Sequence, residues 1–234
     1  MAQGPGEAIV VTGGTGGLGL GVCRVLQETG RPLVVTWVVE GELERAREAL
    51  GPDADLRRAD VTDPDDVAAL AADLDAGVGV WAVAHLVGGY HDGDPVAELD
   101  LEAWDVQMGL NLRSAAVTMR AFLPGMVRRG GGRVVAVSSR TALRPFAGAG
   151  AYAASKAGLI ALVAAASEEV KQDGVTVNCI LPSVVDTPAN RAAQGDADHT
   201  RWVKPEEIGH VVRFLVSPEA AAVTGAPIPV YGRV

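Results

Sequence analysis

Length, composition and charge set the first limits on this chain. It has 234 residues, 48% of them hydrophobic and only 4% aromatic, which suits one large α/β domain with a sizeable core. The formal net charge of −9 argues against a nucleic-acid-binding surface. Cys23 and Cys179 lie far apart in apolar stretches, which is typical of buried thiols in a reducing compartment. The four histidines lack metal-ligand spacing, so we expect no metal site.

We expect no signal peptide. The segment before Ala8 has no basic region, and the apolar run 8–11 is too short for a signal peptide. The longest apolar stretch, residues 159–166, is far below membrane-spanning length. We therefore expect a cytoplasmic protein with no membrane segment.

Strand and helix patterns alternate from end to end. In chain order we predict strand 8–12, a glycine turn and a helix to 29, strand 32–37, helix 42–50, strand 55–59, helix 64–74, strand 80–87, a long helical region 101–129 that Pro124 could break, strand 133–137, helix 152–171, strand 175–181, helix 205–216 and strand 228–230. Near-continuous apolar strands separated by helices indicate an α/β fold, a doubly wound parallel sheet with helices on both faces. No linker or composition break divides residues 1–234, so we predict a single domain.

A glycine-rich turn follows the first predicted strand and opens the first predicted helix. Its sequence is Thr12-Gly13-Gly14-Thr15-Gly16-Gly17-Leu18-Gly19. Small residues let the backbone approach a pyrophosphate, and the helix N-terminus supplies donors and positive potential. A plain tight turn is the alternative, but the strand–turn–helix context favours dinucleotide binding.

Tyr152 and Lys156 lie four positions apart in an Ala-rich helical stretch, so they share one helix face. A cation held there stabilises phenolate and lowers the pKa of the tyrosine from about 10 toward neutrality. That change would make the tyrosine a useful general acid or base near pH 7. Read alone, the two residues could equally be an ordinary surface pair.

Two hydroxyls end the strand that precedes this helix. Ser138 and Ser139 follow the apolar run 133–137, at the edge where a parallel sheet presents its ligands. A hydroxyl at that edge can donate to a substrate carbonyl oxygen and polarise it. The alternative is that both serines merely terminate the strand.

Five features follow one another along the chain: the glycine turn, Asn111, Ser139, Tyr152 and Lys156. Their order and spacing resemble those of the short-chain dehydrogenase/reductase family, over essentially the whole chain. The length resembles the single-domain branch of that family, which has a Rossmann-like fold. The resemblance implies an NAD(P)-dependent oxidoreductase that interconverts a ketone or aldehyde and an alcohol by hydride transfer. Its partner would be a small-molecule carbonyl or alcohol substrate.

The resemblance also implies a role for each catalytic residue. Tyr152 would be the general acid in reduction and the general base in oxidation. Lys156 would lower the pKa of Tyr152 and hold the nicotinamide ribose. Ser139 would fix the substrate carbonyl oxygen, and its thirteen-residue offset from Tyr152 favours it over Ser138. Asn111 would open its helix to hold a proton-relay water beside the lysine, although a solvent-facing helix position is the alternative.

Cofactor contacts follow from the same resemblance. They are Thr12, Gly13, Thr15, Gly17, Leu18, Gly19, Trp37, Asp60, Val61, Gly88, Tyr152, Lys156, Pro182 and Thr187. Asp60 with Val61 resembles the family's adenine-contact pair, and Thr187 resembles the threonine that contacts the carboxamide. An acidic loop residue and a plain turn hydroxyl are the alternatives. Trp37 could stack on adenine or be a core aromatic.

Two stretches depart from the family pattern. The family often has Asn-Asn-Ala-Gly after the fourth strand, where this chain has His85-Leu86-Val87-Gly88, so the glycine is kept and the asparagine is lost. The usual Pro-Gly after the sixth strand is Pro182-Ser183. Both changes would reshape the substrate pocket.

The end of the second strand bears on the choice between NADP and NAD. NAD-preferring proteins carry a carboxylate there, which binds the ribose hydroxyls and repels a 2′-phosphate. This strand ends in Thr36-Trp37-Val38-Val39, and the nearest carboxylate is Glu40. An arginine after the strand and a basic residue in the glycine turn are missing as well. We favour NADP, because no carboxylate clearly blocks it.

Residues 188–204 would form a short substrate lid. Arg191 and Trp202 in this segment could contact substrate, but a surface arginine and a lid-anchoring tryptophan are the favoured interpretations. By the family resemblance we expect a homotetramer or homodimer, formed through the helices that carry Asn111 and Tyr152.

Two other functions stay open. One is reduction of a pterin-like C=N bond, since residues 196–206 and Gly88-Gly89-Tyr90 resemble the dihydropteridine reductase side of the family. That enzyme type lacks the serine that this chain retains. The other is a regulatory protein that binds a dinucleotide but has no catalytic activity. The presence of all four predicted catalytic residues argues against this alternative.

Overall fold

Seven strands form one parallel sheet within the part of the chain that the computed structural model describes, residues 6–52 and 54–234. They are β1 (Ala8–Thr12), β2 (Leu33–Trp37), β3 (Asp55–Arg58), β4 (Val80–His85), β5 (Gly132–Val137), β6 (Val175–Pro182) and β7 (Pro227–Val230). Their order is β3-β2-β1-β4-β5-β6-β7, so the direction of progression reverses between β1 and β4. Open α/β sheets bind ligands at such a switch point, beyond the carboxyl ends of the strands.

The central strands are buried along their whole length. β1, β4, β5 and β6 are largely apolar and show no alternation of buried and exposed positions. A parallel sheet covered on both faces needs such continuous apolar strands. The predicted doubly wound α/β fold is therefore confirmed.

Helices cover both faces of the sheet. They are α1 (Gly17–Gln27), α2 (Glu40–Leu50), α3 (Pro64–Ala76), α4 (Leu101–Met108), α5 (Ser114–Arg129), α6 (Gly150–Val170), α7 (Pro188–Ala193) and α8 (Pro205–Leu215). Ile9 in β1 packs with α1 and α8, whereas the next residue, Val10, packs with α3, α5 and α6. Successive strand residues point to opposite faces, so the two helical layers build two separate halves of the core.

The helical region predicted over residues 101–129 is interrupted, but not at Pro124. A π turn, Gly109–Arg113, separates α4 from α5, and Pro124 lies inside α5. Pro124 is on the exposed side of the helix, where water can satisfy the carbonyl group that the proline leaves without a donor. Single π turns within helices frequently lie at functional positions, and this one contains Asn111.

One described helix, Gly150–Asp173, has the length and composition to cross a membrane. It extends beyond the 159–166 stretch on which the prediction of no membrane segment rested. It includes α6, whose Leu159 and Val163 are buried in the core beside the sheet. The prediction about a signal peptide also concerns residues 1–5, which lie outside the described residues.

Candidate active site

The glycine turn follows β1 at the switch point of the sheet. Gly13 has a φ of 70°, a left-handed conformation that glycine adopts without strain. Its N–H group donates to the Thr36 hydroxyl in β2 over 3.4 Å. A Cβ atom at Gly19 would lie 2.3 Å from the Gly13 carbonyl oxygen. The turn and the start of α1 thus fit together only without side chains, as a backbone cradle for a pyrophosphate requires.

A cleft of about 670 Å³ lies beside this turn, and we call it the glycine-turn cleft. The predicted cofactor contacts that line it are Gly13, Thr15, Gly17, Leu18, Gly19, Trp37, Asp60, Val61, Gly88 and Thr187. Trp37 is partly exposed on the cleft wall, which argues against its being a core aromatic. The side chain and backbone N–H of Thr62 donate to the Asp60 carboxylate, and these bonds hold the pKa of Asp60 below its usual range.

A second cleft of about 740 Å³, the tyrosine cleft, adjoins the first. Ser139, Tyr152, Lys156 and Pro182 line it. The residues that line both clefts are Leu18, Leu86, Gly88 and Thr187. The two clefts therefore meet beyond the carboxyl ends of the central strands, with the serine, tyrosine and lysine at one end and the glycine turn at the other.

The ionisation of Tyr152 differs from the prediction. Lys156 Nζ lies 6.0 Å from the centroid of the Tyr152 ring and donates to the Val137 carbonyl oxygen over 2.8 Å. Burial raises the pKa of Tyr152, and a hydrogen-bonding interaction with Ser139 only partly offsets it. Burial also lowers the pKa of Lys156 to about 8. For the chain by itself the predicted fall in the Tyr152 pKa is wrong, because burial disfavours the charged phenolate.

The two serines at the end of β5 make different contacts. Ser138 Oγ donates to the Lys156 carbonyl oxygen over 2.8 Å, so Ser138 ties β5 to α6. Ser139 Oγ accepts from the N–H group of Thr141 over 3.1 Å, at the start of the short turn Arg140–Ala142. Because Ser139 uses its oxygen as an acceptor there, its O–H can still donate into the cleft.

Asn111 lies in the π turn and is fully buried, which excludes the solvent-facing alternative. Its Oδ1 accepts from the Gly89 N–H over 2.9 Å, and its Nδ2 donates to the Gly89 carbonyl over 3.0 Å and to the Ser155 hydroxyl over 3.1 Å. A Cβ atom at Gly88 would lie 2.7 Å from Asn111 Oδ1 and 2.8 Å from Lys156 Nζ. Asn111 therefore holds the segment after β4 so closely against Lys156 that only glycine fits between them.

Thr12 is a predicted cofactor contact that lines neither cleft. It is 1% exposed, and its hydroxyl lies 2.9 Å from Nδ1 of His85. His85 also lies 3.3 Å from the Thr118 hydroxyl and 3.2 Å from the Ser114 hydroxyl. Burial, with a smaller effect from Lys156, lowers the pKa of His85 to about 3, so the ring is neutral at pH 7. In place of the family's asparagine, His85 thus links β1, β4 and α5 beneath the clefts.

Several cleft residues were missed in the sequence. Those that line the glycine-turn cleft are Arg24, Glu42, Arg45 and Glu206. Those that line the tyrosine cleft are Arg140, Arg144 and Phe146. Glu40, the carboxylate that the sequence analysis considered, is exposed and does not line the glycine-turn cleft. A signal for Glu42 was present, because α2 begins just after β2, at the same sheet edge as the glycine turn.

The segment 188–204 contains α7 and a short turn, His199–Arg201. Its residues Asn190, Ala193 and Gln194 line the tyrosine cleft. Trp202 is 7% exposed, and its ring lies 4.4 Å from that of His199. Arg191 pairs with Asp186 over 2.5 Å on the surface. These positions agree with a lid-anchoring tryptophan and a surface arginine.

The two cysteines are buried, as predicted. Burial raises the pKa of Cys23 and of Cys179 to about 12, so both thiols are protonated at pH 7. Within residues 6–52 and 54–234, no group of three or more His, Cys, Asp or Glu side chains is placed to hold a metal ion.

A glycine cradle joined to a cleft with a half-buried tyrosine and a buried lysine, on a doubly wound sheet, defines the class of dinucleotide-dependent oxidoreductases. A family model described as short chain dehydrogenase matches residues 7–198. The chain belongs to this family, and it is an NAD(P)-dependent oxidoreductase that acts on carbonyl and alcohol groups.

Relatives and solved structures agree with this assignment. The acetoacetyl-CoA reductase of Allochromatium vinosum is 30% identical, with 95% of this chain and 96% of that protein aligned. The 3-oxoacyl-(acyl-carrier-protein) reductase of Vibrio cholerae is 32% identical, with 97% and 96% aligned. A short-chain type dehydrogenase/reductase from Mycobacterium ulcerans superposes with a TM-score of 0.90 at 27% identity, covering 97% of this chain and 88% of that one.

Proposed function

We propose that the chain interconverts a ketone or aldehyde and an alcohol, with Tyr152 as the general acid in reduction and the general base in oxidation. The observation that carries this proposal is that Ser139, Tyr152 and Lys156 line one cleft, which joins the glycine-turn cleft at Gly88 and Thr187. A carbonyl carbon held at this junction would lie between a proton donor and the cofactor end of the site.

The residues of the glycine-turn cleft fit a nicotinamide dinucleotide. The tight packing of Gly19 on Gly13 leaves a backbone surface for the pyrophosphate. Asp60 and Val61 would contact the adenine, Thr187 the carboxamide and Lys156 the nicotinamide ribose. The remaining contacts would come from Gly17, Leu18, Trp37 and Pro182. Thr12 lines neither cleft, so it would act only indirectly, through β1. When bound, the dinucleotide supplies or accepts the hydride.

The side chains of the tyrosine cleft would handle the oxygen and its proton. Ser139 would donate a hydrogen bond to the carbonyl oxygen, and Tyr152 would deliver the proton to it. Lys156, with a pKa of about 8, is mostly protonated at pH 7 and can stabilise the phenolate that remains. Asn111 would keep the Gly88 segment and the lysine in place, beside a path for the returning proton.

The proposal also includes the domain organisation, the cellular location and the oligomeric state. Residues 1–234 would act as one catalytic domain, with 188–204 as a short substrate lid, in the cytoplasm. Homotetramers or homodimers would form through the helices that carry Asn111 and Tyr152. Large apolar side chains exposed on α4, Leu101 (71%) and Val106 (61%), support an interface on that side. We expect no nucleic-acid or membrane partner.

The test combines binding and turnover. NADH and NADPH are titrated against the protein by ligand fluorescence, and a panel of neutral ketones, aldehydes and keto acids is assayed with wild type and Tyr152→Phe. Keto acids belong in the panel because Arg140 and Arg144 line the tyrosine cleft. Tyr231→Phe is the matched control, since it removes a phenolic oxygen that lies outside both clefts.

Each outcome favours one of the candidate functions over the others. We expect at least one dinucleotide to bind and at least one carbonyl compound to be reduced by wild type and by Tyr231→Phe, but not by Tyr152→Phe. Full turnover by Tyr152→Phe would overturn the assigned chemistry. Turnover of a dihydropterin alone would favour the C=N alternative, and binding without any turnover would favour the regulatory one.

A further inference from the structure

Glu42 is a carboxylate that the fold, not the local sequence, brings to the glycine turn. It lies in the first turn of α2, and its Oε2 accepts a hydrogen bond from the Thr15 hydroxyl over 2.9 Å. Thr15 is 2% exposed and belongs to the turn itself. Both residues line the glycine-turn cleft, so the carboxylate is anchored in the cleft wall where β2 ends.

The end of β2 beside Glu42 is neutral. After Thr36, β2 ends in Trp37 and continues into Val38, and all three residues line the cleft without bringing a charge. The side chain of Glu42 is 32% exposed, so its oxygens are open to a ligand as well as to Thr15. Glu42 therefore stands where dinucleotide-binding sheets carry the acidic residue that binds the adenosine ribose.

The arginines of this cleft are paired with carboxylates. Arg45 lies 3.3 Å from Glu42 Oε1, and Arg24 lies 3.8 Å from Glu206. All four side chains line the cleft, so their formal charges cancel. A 2′-phosphate would bring about two negative charges beside Glu42 and would compete with that carboxylate for Arg45. Ribose hydroxyls need only donate to carboxylate lone pairs that remain available.

We propose that Glu42, positioned by Thr15, accepts a hydrogen bond from the adenosine ribose and repels a 2′-phosphate, so that the enzyme prefers NAD to NADP. This inference rests on the proposed function, because it assumes that the dinucleotide lies in the glycine-turn cleft. It reverses the preference for NADP drawn from the sequence, which considered only carboxylates next to the strand end.

The experiment is a fluorescence titration of NADH and NADPH against wild type, Glu42→Gln and Glu44→Gln. Glu44 is the matched control, since it lies on the same helix, pairs with Arg47, is 74% exposed and does not line the cleft. We expect wild type to bind NADH about tenfold or more tighter than NADPH. Glu42→Gln should narrow that ratio about tenfold, mainly by tighter NADPH binding, and Glu44→Gln should leave it unchanged.

The variant Arg45→Gln tests the opposite interpretation, in which the site prefers NADPH. If Arg45 is a phosphate ligand and Glu42 only its partner, wild type will prefer NADPH, and Arg45→Gln will weaken NADPH more than NADH. That result, or an unchanged ratio in Glu42→Gln, overturns the inference and leaves the proposed function standing. Failure of wild type to bind either dinucleotide would instead overturn the proposed function.

Discussion

The two joined clefts are built by different means. The glycine-turn cleft is shaped by the absence of side chains, since a Cβ at Gly19 would collide with the backbone of the same turn. The tyrosine cleft is shaped by buried side chains that hold backbone segments in place, as Asn111 holds Gly89 and Lys156 holds the end of β5. Added atoms should therefore damage the first cleft, and removed atoms the second. Three variants test this contrast, and a fourth tests His85, which lines neither cleft.

Replacing Lys156 with Met should have the largest effect. The variant loses the charge that we propose stabilises the Tyr152 phenolate, and it leaves the buried Val137 carbonyl without its lysine donor. We expect kcat to fall about 100-fold or more, in the range that a positioned acid–base group contributes. Lys171→Met, an exposed ion-paired lysine after α6, is the control and should keep its kcat. A kcat within a few-fold of wild type for Lys156→Met would contradict the role of the lysine.

Gly19→Ala comes next and tests the glycine-turn cleft. The new Cβ would lie 2.3 to 2.5 Å from backbone atoms of Gly13 and Gly14, which cannot move aside as a flexible side chain could. We expect dinucleotide affinity to fall about tenfold or more, measured by titration. Gly41→Ala is the control, because nothing lies within 4 Å of its added Cβ. Equal affinity in both variants would mean that the turn does not cradle the cofactor.

Asn111→Asp tests the tyrosine cleft by changing a single donor group. A carboxylate can still accept from the Gly89 N–H, but it cannot donate to the Gly89 carbonyl or to Ser155. We expect a loss of about 1–3 kcal/mol in the free energy of unfolding, measured by urea denaturation, with a fall in kcat. Asn190→Asp is the control for stability alone, since it also loses an amide donor, to the Val185 carbonyl, but in the partly exposed lid segment. Unchanged stability in Asn111→Asp would contradict the role of Asn111 in holding the Gly89 segment.

His85 should give the smallest effect at neutral pH and a growing one in acid. Its pKa is about 3 in the folded chain and about 6.5 when unfolded, so below pH 6.5 the unfolded state binds the extra proton. Stability linked to His85 is therefore complete above pH 6.5 and is lost as the pH falls toward 3, by up to about 1.4 kcal/mol per pH unit.

The matched variant is His85→Asn, which keeps hydrogen-bonding groups at this position but does not titrate. We expect its free energy of unfolding, measured by urea denaturation between pH 7 and 4.5, to fall less steeply than that of wild type. Parallel pH curves for the two proteins would show that His85 is not buried in its neutral form.

Much of the architecture was predictable from local pattern. Every strand was predicted to within about two residues. The central strands follow from continuous apolar runs, because both of their faces are buried, whereas β3 is mostly polar and partly exposed. The break predicted near Pro124 was wrong, because Pro124 lies inside α5. The interruption is the π turn that contains Asn111, the residue that was expected to open its helix. The direction of the Tyr152 pKa shift was also wrong, because burial cannot be read from i, i+4 spacing.

The sequence by itself determined the alternation of strands and helices, the glycine turn, and the placement of Tyr152 and Lys156 on one helix face. Each of these follows from residues close together in the chain. Only the tertiary structure decided that Glu42 reaches Thr15 and that His85 replaces an asparagine by bonding Thr12. Those contacts join residues 27 and 73 positions apart, and they exist because the strand order places β2 and β4 on either side of β1.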